Sequence, residues 1–193
     1  MAYRDTFKKW VSTLDKCDLA YRVEYPSEND KEYLEHIFGV DFIRAFEEVG
    51  YAGGIELPWT AETLSFFALS EIVEAQAGYR FDANTGQASE AWDANHYVIS
   101  AWAGDPVTID VSGVVWFSRH GEGKWQYKRL ASNFCEYLNI LDRWADFFVV
   151  ENSKDIFDDG FSIPKSICEE VNNSVINSLG SEEKSNWLEF LFD

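Results

Sequence analysis

The apolar positions of this chain change period twice. Near the N-terminus Phe7, Trp10, Val11 and Leu14 recur at helical spacing, which predicts a short amphipathic helix over 3–17. Ser27 with Asp30 three residues on resembles a capping box, with Asp in place of Glu. Leu34, Ile37 and Phe38 then form a stripe that Gly39 would end. DFIRAFEE (41–48) reads as another helical turn or two, Tyr51–Gly54 as a breaker, and Ile55–Leu57 as a short strand stopping before Pro58. Ser70 to Gln76 reads as helix, with Ser70 as N-cap and Glu71 and Glu74 where the helix dipole favours acid. Residues 82–93 are polar and turn-rich.

From His96 the period becomes two. HYVISAW, VTIDV, VVWFSR and WQYKRL read as strands, separated by Gly-Asp-Pro, Ser-Gly and Gly-Glu-Gly, as in an antiparallel meander. After Ser132 the helical period returns: Phe134, Tyr137, Leu138, Leu141, Trp144, Phe147 and Phe148 mark one face of a long helix capped by Ser132 or Asn133. Ile163, Ile167, Val171, Val175 and Leu179 form a further stripe with Pro164 near its first turn, and Trp187, Leu188, Phe190 and Leu191 a final short helix. Helices on both sides of a central β-meander predict an α+β domain, its sheet mainly antiparallel and flanked by N-terminal and C-terminal helices.

Composition narrows this picture. The 193 residues suit a single domain, and 46% hydrophobic content with 17% aromatics is ample for a packed core. No run approaches the ~18 apolar residues of a membrane span, and MAYRDTFKKW has no apolar segment of the kind a secretory signal needs. Cys17, Cys135 and Cys168 form no CxxC pair, so neither a disulfide scaffold nor a thiolate metal site is expected, and a reducing cytoplasm is the expected location.

Charge is the strongest compositional feature: 34 acidic residues against 16 basic ones, a formal net charge of −18. Residues 51–110 carry nine acids and one base. Such a field repels nucleic acid and anionic membranes and steers basic partners inward, although excess carboxylate also serves plain solubility.

Chemistry-bearing residues concentrate in AWAGDPVTIDVSGVVWFSRHGEGKW (101–125). Asp105, Asp110, His120 and Glu122 are types that suit divalent metals or general acid–base work. Their spacing does not help, because they alternate faces unpredictably across three turns, and no HxxxH or HxH pair is present. Turn roles explain them more simply: Asp105 before Pro106 fits a turn start, and Gly121 and Gly123 around Glu122 fit a hairpin tip. Ser118-Arg119-His120 lacks a nucleophile elbow, and the chain has neither a P-loop nor GxGxxG. KWQYKR (124–129), the one basic–aromatic stretch, sits in a strongly acidic chain and reads as a solvated hairpin arm. No catalytic residue, metal or cofactor is expected.

FFALSEIVEAQAGYRF (66–81), Trp92, YVISAWAGDPVTID (97–110) and VVWFSRHGEGKWQYKRLASNFCEYL (114–138) stand in an order that resembles the SUKH superfamily, the fold shared by Syd-type, Us-type and Knr/Smi-type proteins. Gly78-Tyr79, Trp92, Gly104-Asp105-Pro106, His120-Gly121-Glu122-Gly123-Lys124-Trp125 and Leu130-Ala131-Ser132-Asn133-Phe134 occupy the motif positions. The likeness covers about residues 55–150, within a core of about 27–150, with 151–193 as a helical extension of one domain. DFIRAFEEVGYAGG departs from the family pattern.

The resemblance implies a strongly curved α+β sheet, structural roles for Gly104, Asp105, Pro106, His120 and Gly121, and no enzymatic chemistry. It also implies a protein-binding module, as in immunity proteins that occlude a cognate toxin, often a nuclease. The alternative is a Knr/Smi-like regulatory or scaffolding protein acting on an endogenous partner such as a cell-wall factor. The partner expected from the charge is a basic protein, with no nucleic acid or membrane; oligomeric state is open. Its expected contact surface is the acidic, aromatic-rich region around 90–125. There Trp92, Trp102 and Trp116 would serve as anchors, and Asp93, Asp105 and Glu122 as charge partners.

Overall fold

The computed structural model describes residues 3–60, 62–121 and 124–192. The fold is α+β. Helix α1 (Tyr3–Lys16) leads to β1 (Arg22–Glu24), α2 (Lys31–Phe38) and α3 (Val40–Val49). Strands β2 (Tyr51–Gly53), β3 (Ile55–Pro58), β4 (Thr63–Phe66), β5 (His96–Trp102), β6 (Asp105–Asp110), β7 (Val115–Phe117) and β8 (Lys128–Ala131) follow. The chain ends in α4 (Phe134–Ala145), α5 (Lys165–Ser174) and α6 (Ser181–Phe192). Strands β3 to β8 form one six-stranded antiparallel sheet in sequence order, and β1 pairs with β2 in a separate two-stranded ribbon.

The inner face of the sheet alternates as its period requires. Ile55 and Leu57, Leu64 and Phe66, Val107 and Ile109, and Val115 and Phe117 are all buried in one hydrophobic cluster with Trp10, Phe134, Tyr137, Trp144, Trp187 and Phe190 from the helices. Phe134 alone lies near the rings of Tyr3, Phe38, Phe42, Phe46, Tyr51 and Phe66. The tail joins this same core. Asn186 and Trp187 of α6 donate to the carbonyls of Arg129 (2.8 Å) and Leu130 (2.7 Å), so α6 satisfies the open edge of β8 that would otherwise template another strand.

Several local expectations are corrected. Tyr51–Gly53 is a strand, because it pairs antiparallel with Arg22–Glu24; a three-residue strand is too short to show a period. A Cβ on Gly53 would sit 2.4 Å from the Phe67 carbonyl oxygen, so only glycine fits there. Thr63–Phe66, unrecognised in the sequence, is β4. The helix expected over 70–76 shrinks to a 3₁₀ turn at Glu74–Gln76: both the N–H and the hydroxyl of Ser70 go to the Glu24 carboxylate (2.8 and 2.9 Å) instead of capping. α4 begins as expected, with Asn133 accepting the Glu136 N–H (3.0 Å), but stops at Ala145. A wider π-helical turn, Asp146–Glu151, then lets the consecutive Phe147 and Phe148 both reach Trp144.

Candidate functional site

The Gly-Asp-Pro and His-Gly elements form one corner. Trp102 pairs with Asp105, so Ala103 and Gly104 alone make the β5–β6 turn, at φ 48° and 89°. Two successive left-handed residues define the type I′ turn that matches strand twist, which accounts for Gly104. Asp105, expected as a turn starter, is instead the first residue of β6 and reaches across to the next hairpin. One carboxylate oxygen accepts from the His120 backbone N–H (2.7 Å) and approaches His120 Nδ1 (2.6 Å); the other accepts from Arg119 (2.7 Å). Arg119 also donates to the Glu189 carbonyl of α6 (2.9 Å) and lies over Trp102, 5.1 Å from its ring. A carboxylate satisfied three times and 4% exposed locks two hairpins to α6. The expectation that Asp105 offers its charge to a partner is therefore corrected. Pro106, buried in β6, accepts the Ser118 N–H (3.1 Å) through its carbonyl, and Gly121 has φ 83°.

Asp110 stands at the opposite end of β6, five residues or about 17 Å away along the strand. It organises the β6–β7 turn, accepting from the N–H (2.8 Å) and hydroxyl (2.6 Å) of Ser112, the N–H of Val114 (3.1 Å) and the indole of Trp116 (2.9 Å). Partial burial raises its pKa, but these donors outweigh that effect and leave it below the ordinary carboxylate value. Asp105 and His120 thus meet while Asp110 does not join them, and Glu122 lies outside the described residues. The Ser118 hydroxyl is buried and makes no hydrogen bond to His120. Among the described residues no group of three His, Cys, Asp or Glu side chains could hold a metal ion, and the three cysteines are free.

The outer face of the sheet over β5–β7 carries an aromatic layer. His96 shares a 2.9 Å hydrogen bond with the Thr108 hydroxyl and stacks on Tyr127 with ring centroids 3.7 Å apart. Trp116 lies 5.9 Å from His96. Trp92, its indole donating to the His96 carbonyl (2.9 Å), packs against Tyr79, Trp125 and Tyr127. Burial lowers the His96 pKa and pushes the Tyr127 hydroxyl up to about 12. Trp92 is only 7% exposed, so its indole is the centre of this layer and not the protruding anchor expected of it. Trp102 and Trp116 are half-buried, and Asp93 is exposed at the layer's edge.

Gln76, Tyr79, Trp125 and Tyr127 were not singled out as site residues by sequence reasoning. Gln76 is 1% exposed and repairs a break in the sheet. Val98 and Ser100 pair with the adjacent Thr108 and Val107, so Ile99 is an extra, bulged residue. The Gln76 amide accepts the Val98 N–H (3.0 Å) and donates to the Val98 and Ile72 carbonyls (2.9 and 2.7 Å). This bulge pulls the 72–81 segment onto the sheet and sets Tyr79 beside Trp92. Nothing in the local sequence marks Gln76, because the strand it repairs, at Val98, lies 22 residues away.

Around the layer the carboxylates divide. Glu71 is ion-paired to Arg22, Asp82 accepts the N–H groups of Asn84 and Thr85, and Glu56 accepts Thr63 and Ser65 hydroxyls. Glu74, Glu90 and Asp93 are exposed and make no salt bridge among the described residues. Beside the layer a groove of about 450 Å³ runs between β3–β4 and the 71–79 segment, lined by Glu56, Phe67, Glu74, Ala77 and Tyr79. The outer face thus defines an α+β domain that presents half-exposed aromatic rings rimmed by carboxylates. No protein-family model, curated protein or solved structure matches the chain. No helix among the described residues is long and apolar enough to cross a membrane.

Proposed function

We propose that this chain is a non-enzymatic protein-binding module. In its most concrete form it is an immunity protein of the SUKH type that neutralises a cognate toxin, best a basic nuclease, by stoichiometric occlusion in the cytoplasm. One observation carries the reading: the half-exposed rings of Tyr79, Trp125 and Tyr127 lie among acids, with Glu74 lining one groove with Tyr79 and the Asp93 N–H donating to the Tyr127 hydroxyl (3.3 Å), in a chain of net charge −18. Aromatic area supplies contact energy in protein interfaces, and a surrounding field of one sign speeds encounter with a partner of the other. A standard interface of about 1,600 Å² needs no catalytic group, only a few well-packed anchors. The ordered motif resemblance supplies the immunity class; the charge supplies the partner's sign.

The test is binding between the purified protein and the polypeptide encoded beside its gene. The reading expects a one-to-one complex that silences a toxic activity and whose association slows as salt rises. Glu74→Lys with Glu90→Lys should slow association while leaving the melting temperature unchanged, since both side chains are exposed. Absence of a complex, or a complex that leaves the toxic activity intact, overturns it.

A further inference from the structure

Seven arginines occur in the chain, and five of them meet a carboxylate: Arg4, Arg22, Arg44, Arg119 and Arg129. Arg80 instead donates to the Ala94 carbonyl and lies over Tyr97, 3.7 Å from its ring. Arg143, on α4, has neither arrangement. Its one hydrogen-bond partner among the described residues is the neutral Ser178 hydroxyl at 3.2 Å, and its Nε is buried without any partner. With two acids for every base in the sequence, a carboxylate partner was easy to provide. A partly desolvated guanidinium with no carboxylate in direct contact is costly, and open space beside it suits an anion.

The open space is a groove of about 560 Å³ along α4, running about 15 Å from Asn133 to Arg143 and lined also by Lys9, Phe42, Cys135 and Ser178. Burial lowers the Arg143 pKa despite the nearby carboxylates of Asp142 and Glu136. Neither carboxylate touches the guanidinium: Asp142 holds Lys9 through Oδ2 while its Oδ1 is buried without a partner, and Glu136 accepts the Ser132 N–H (2.7 Å) and hydroxyl towards the far end. The ammonium of Lys9 has N–H donors to spare beyond Asp142, and the Ser178 hydroxyl, which accepts from Arg143, keeps its own proton to give.

We propose that this groove binds a small organic oxyanion, with its phosphate or carboxylate group on Arg143, Ser178 and Lys9 and its body over Phe42 and Cys135. The volume falls in the range of ligand pockets, about 300–1,000 Å³, and exceeds what a bare ion would fill. Guanidinium N–H groups match paired oxygens of either group in a bidentate contact. The site lies on the helical side of the molecule and stands or falls independently of the protein-binding reading.

The test observes the Arg143 Nε–H resonance of the full chain during titration with inorganic phosphate, and separately with acetate, against chloride at constant ionic strength. The expected result is a saturable shift at Arg143 with one probe; phosphate saturating alone assigns a phosphate-bearing ligand, acetate alone a carboxylate. Arg143→Gln, followed through the backbone amides of Lys9 and Ser178, should weaken that binding about 10- to 100-fold, as loss of charged hydrogen bonds does. Arg44→Gln, on an exposed turn of α3, should leave it unchanged. Ser178→Ala, which keeps the guanidinium, should weaken it less than Arg143→Gln and covers the case in which that variant does not fold. No shift at Arg143 with either probe, or a non-saturating one matched at Arg44, overturns the proposal.

Discussion

On the inner face of the sheet, Val107, Ile109, Val115 and Phe117 meet helices whose stripes have their own matching period; on the outer face, His96, Thr108 and Trp116 meet a segment with no regular period at all. The inner face is held by area: dozens of apolar contacts, none of them indispensable in direction. The outer layer is held by direction. The Trp92 indole must find the His96 carbonyl, the Gln76 amide must find the bulged Val98, and the Tyr79 hydroxyl must find the Gly104 carbonyl at 3.1 Å. A face built on area tolerates slow change, whereas one built on a few oriented bonds depends on each of them. The difference also explains where rings keep contact with solvent: the inner-face rings are buried, while Tyr79, Trp125 and Tyr127 stay half-exposed.

The comparison can be broken most directly at its inner side. Phe134→Ala should cost about 3–5 kcal/mol, measured by denaturant unfolding, because the ring sits among six others and its cavity cannot collapse. Trp92→Ala should cost less, about 2–3 kcal/mol, since Tyr79 and Trp125 are half-exposed and free to close over the gap. An equal loss from both would erase the distinction between the faces.

Gln76→Ala tests direction without removing much area. It leaves the Val98 N–H and carbonyl buried and unpaired, for about 1–3 kcal/mol, and should raise amide hydrogen exchange at Val98 and Ile99 ahead of the inner strands. Protection there equal to wild type would show that the bulge needs no side chain to hold it.

The smallest effect expected is pH-dependent. Burial holds the folded pKa of His96 below its ordinary 6.5. The unfolded chain therefore binds the proton first, so stability is complete above about 6.5 and falls as pH drops from there towards the folded pKa. Asp110, also lowered, adds its loss only further into acid, as pH falls through the folded carboxylate value. His96→Gln should flatten the first of these phases in melting temperatures taken between about pH 7.5 and about pH 5. A wild-type profile that is flat near 6 would show that His96 accepts its proton in place.

The elements that read clearly in the chain were those with a period to read. Phe7, Trp10 and Leu14, the alternation of HYVISAW, and the Phe134–Tyr137–Leu141–Trp144 stripe each have enough repeats to separate 3.6 from 2. Local chemistry was also legible where partners are close: Asn133 with Glu136, and Gly104 in a two-residue turn, need only neighbours. The short strands Tyr51–Gly53 and Thr63–Phe66 were lost because three or four residues carry no period. The helix expected over 70–76 yielded to a carboxylate 46 positions away.

The amino-acid order by itself determined the class of fold, the meander of β5 to β8, the acidic field and the residue types of the outer face. Those are sums over neighbours, or over the whole composition, and need no coordinates. Only the tertiary structure decided what the polar residues do. Asp105 and Asp110 are the same side chain at two ends of one strand, yet one binds a neighbouring hairpin and the other its own turn. Trp92 became the centre of a layer, and Gln76 a repair to the sheet. A carboxylate, amide or indole takes its role from whichever complementary group arrives within about 3 Å, and chain folding, not sequence distance, sets which group that is.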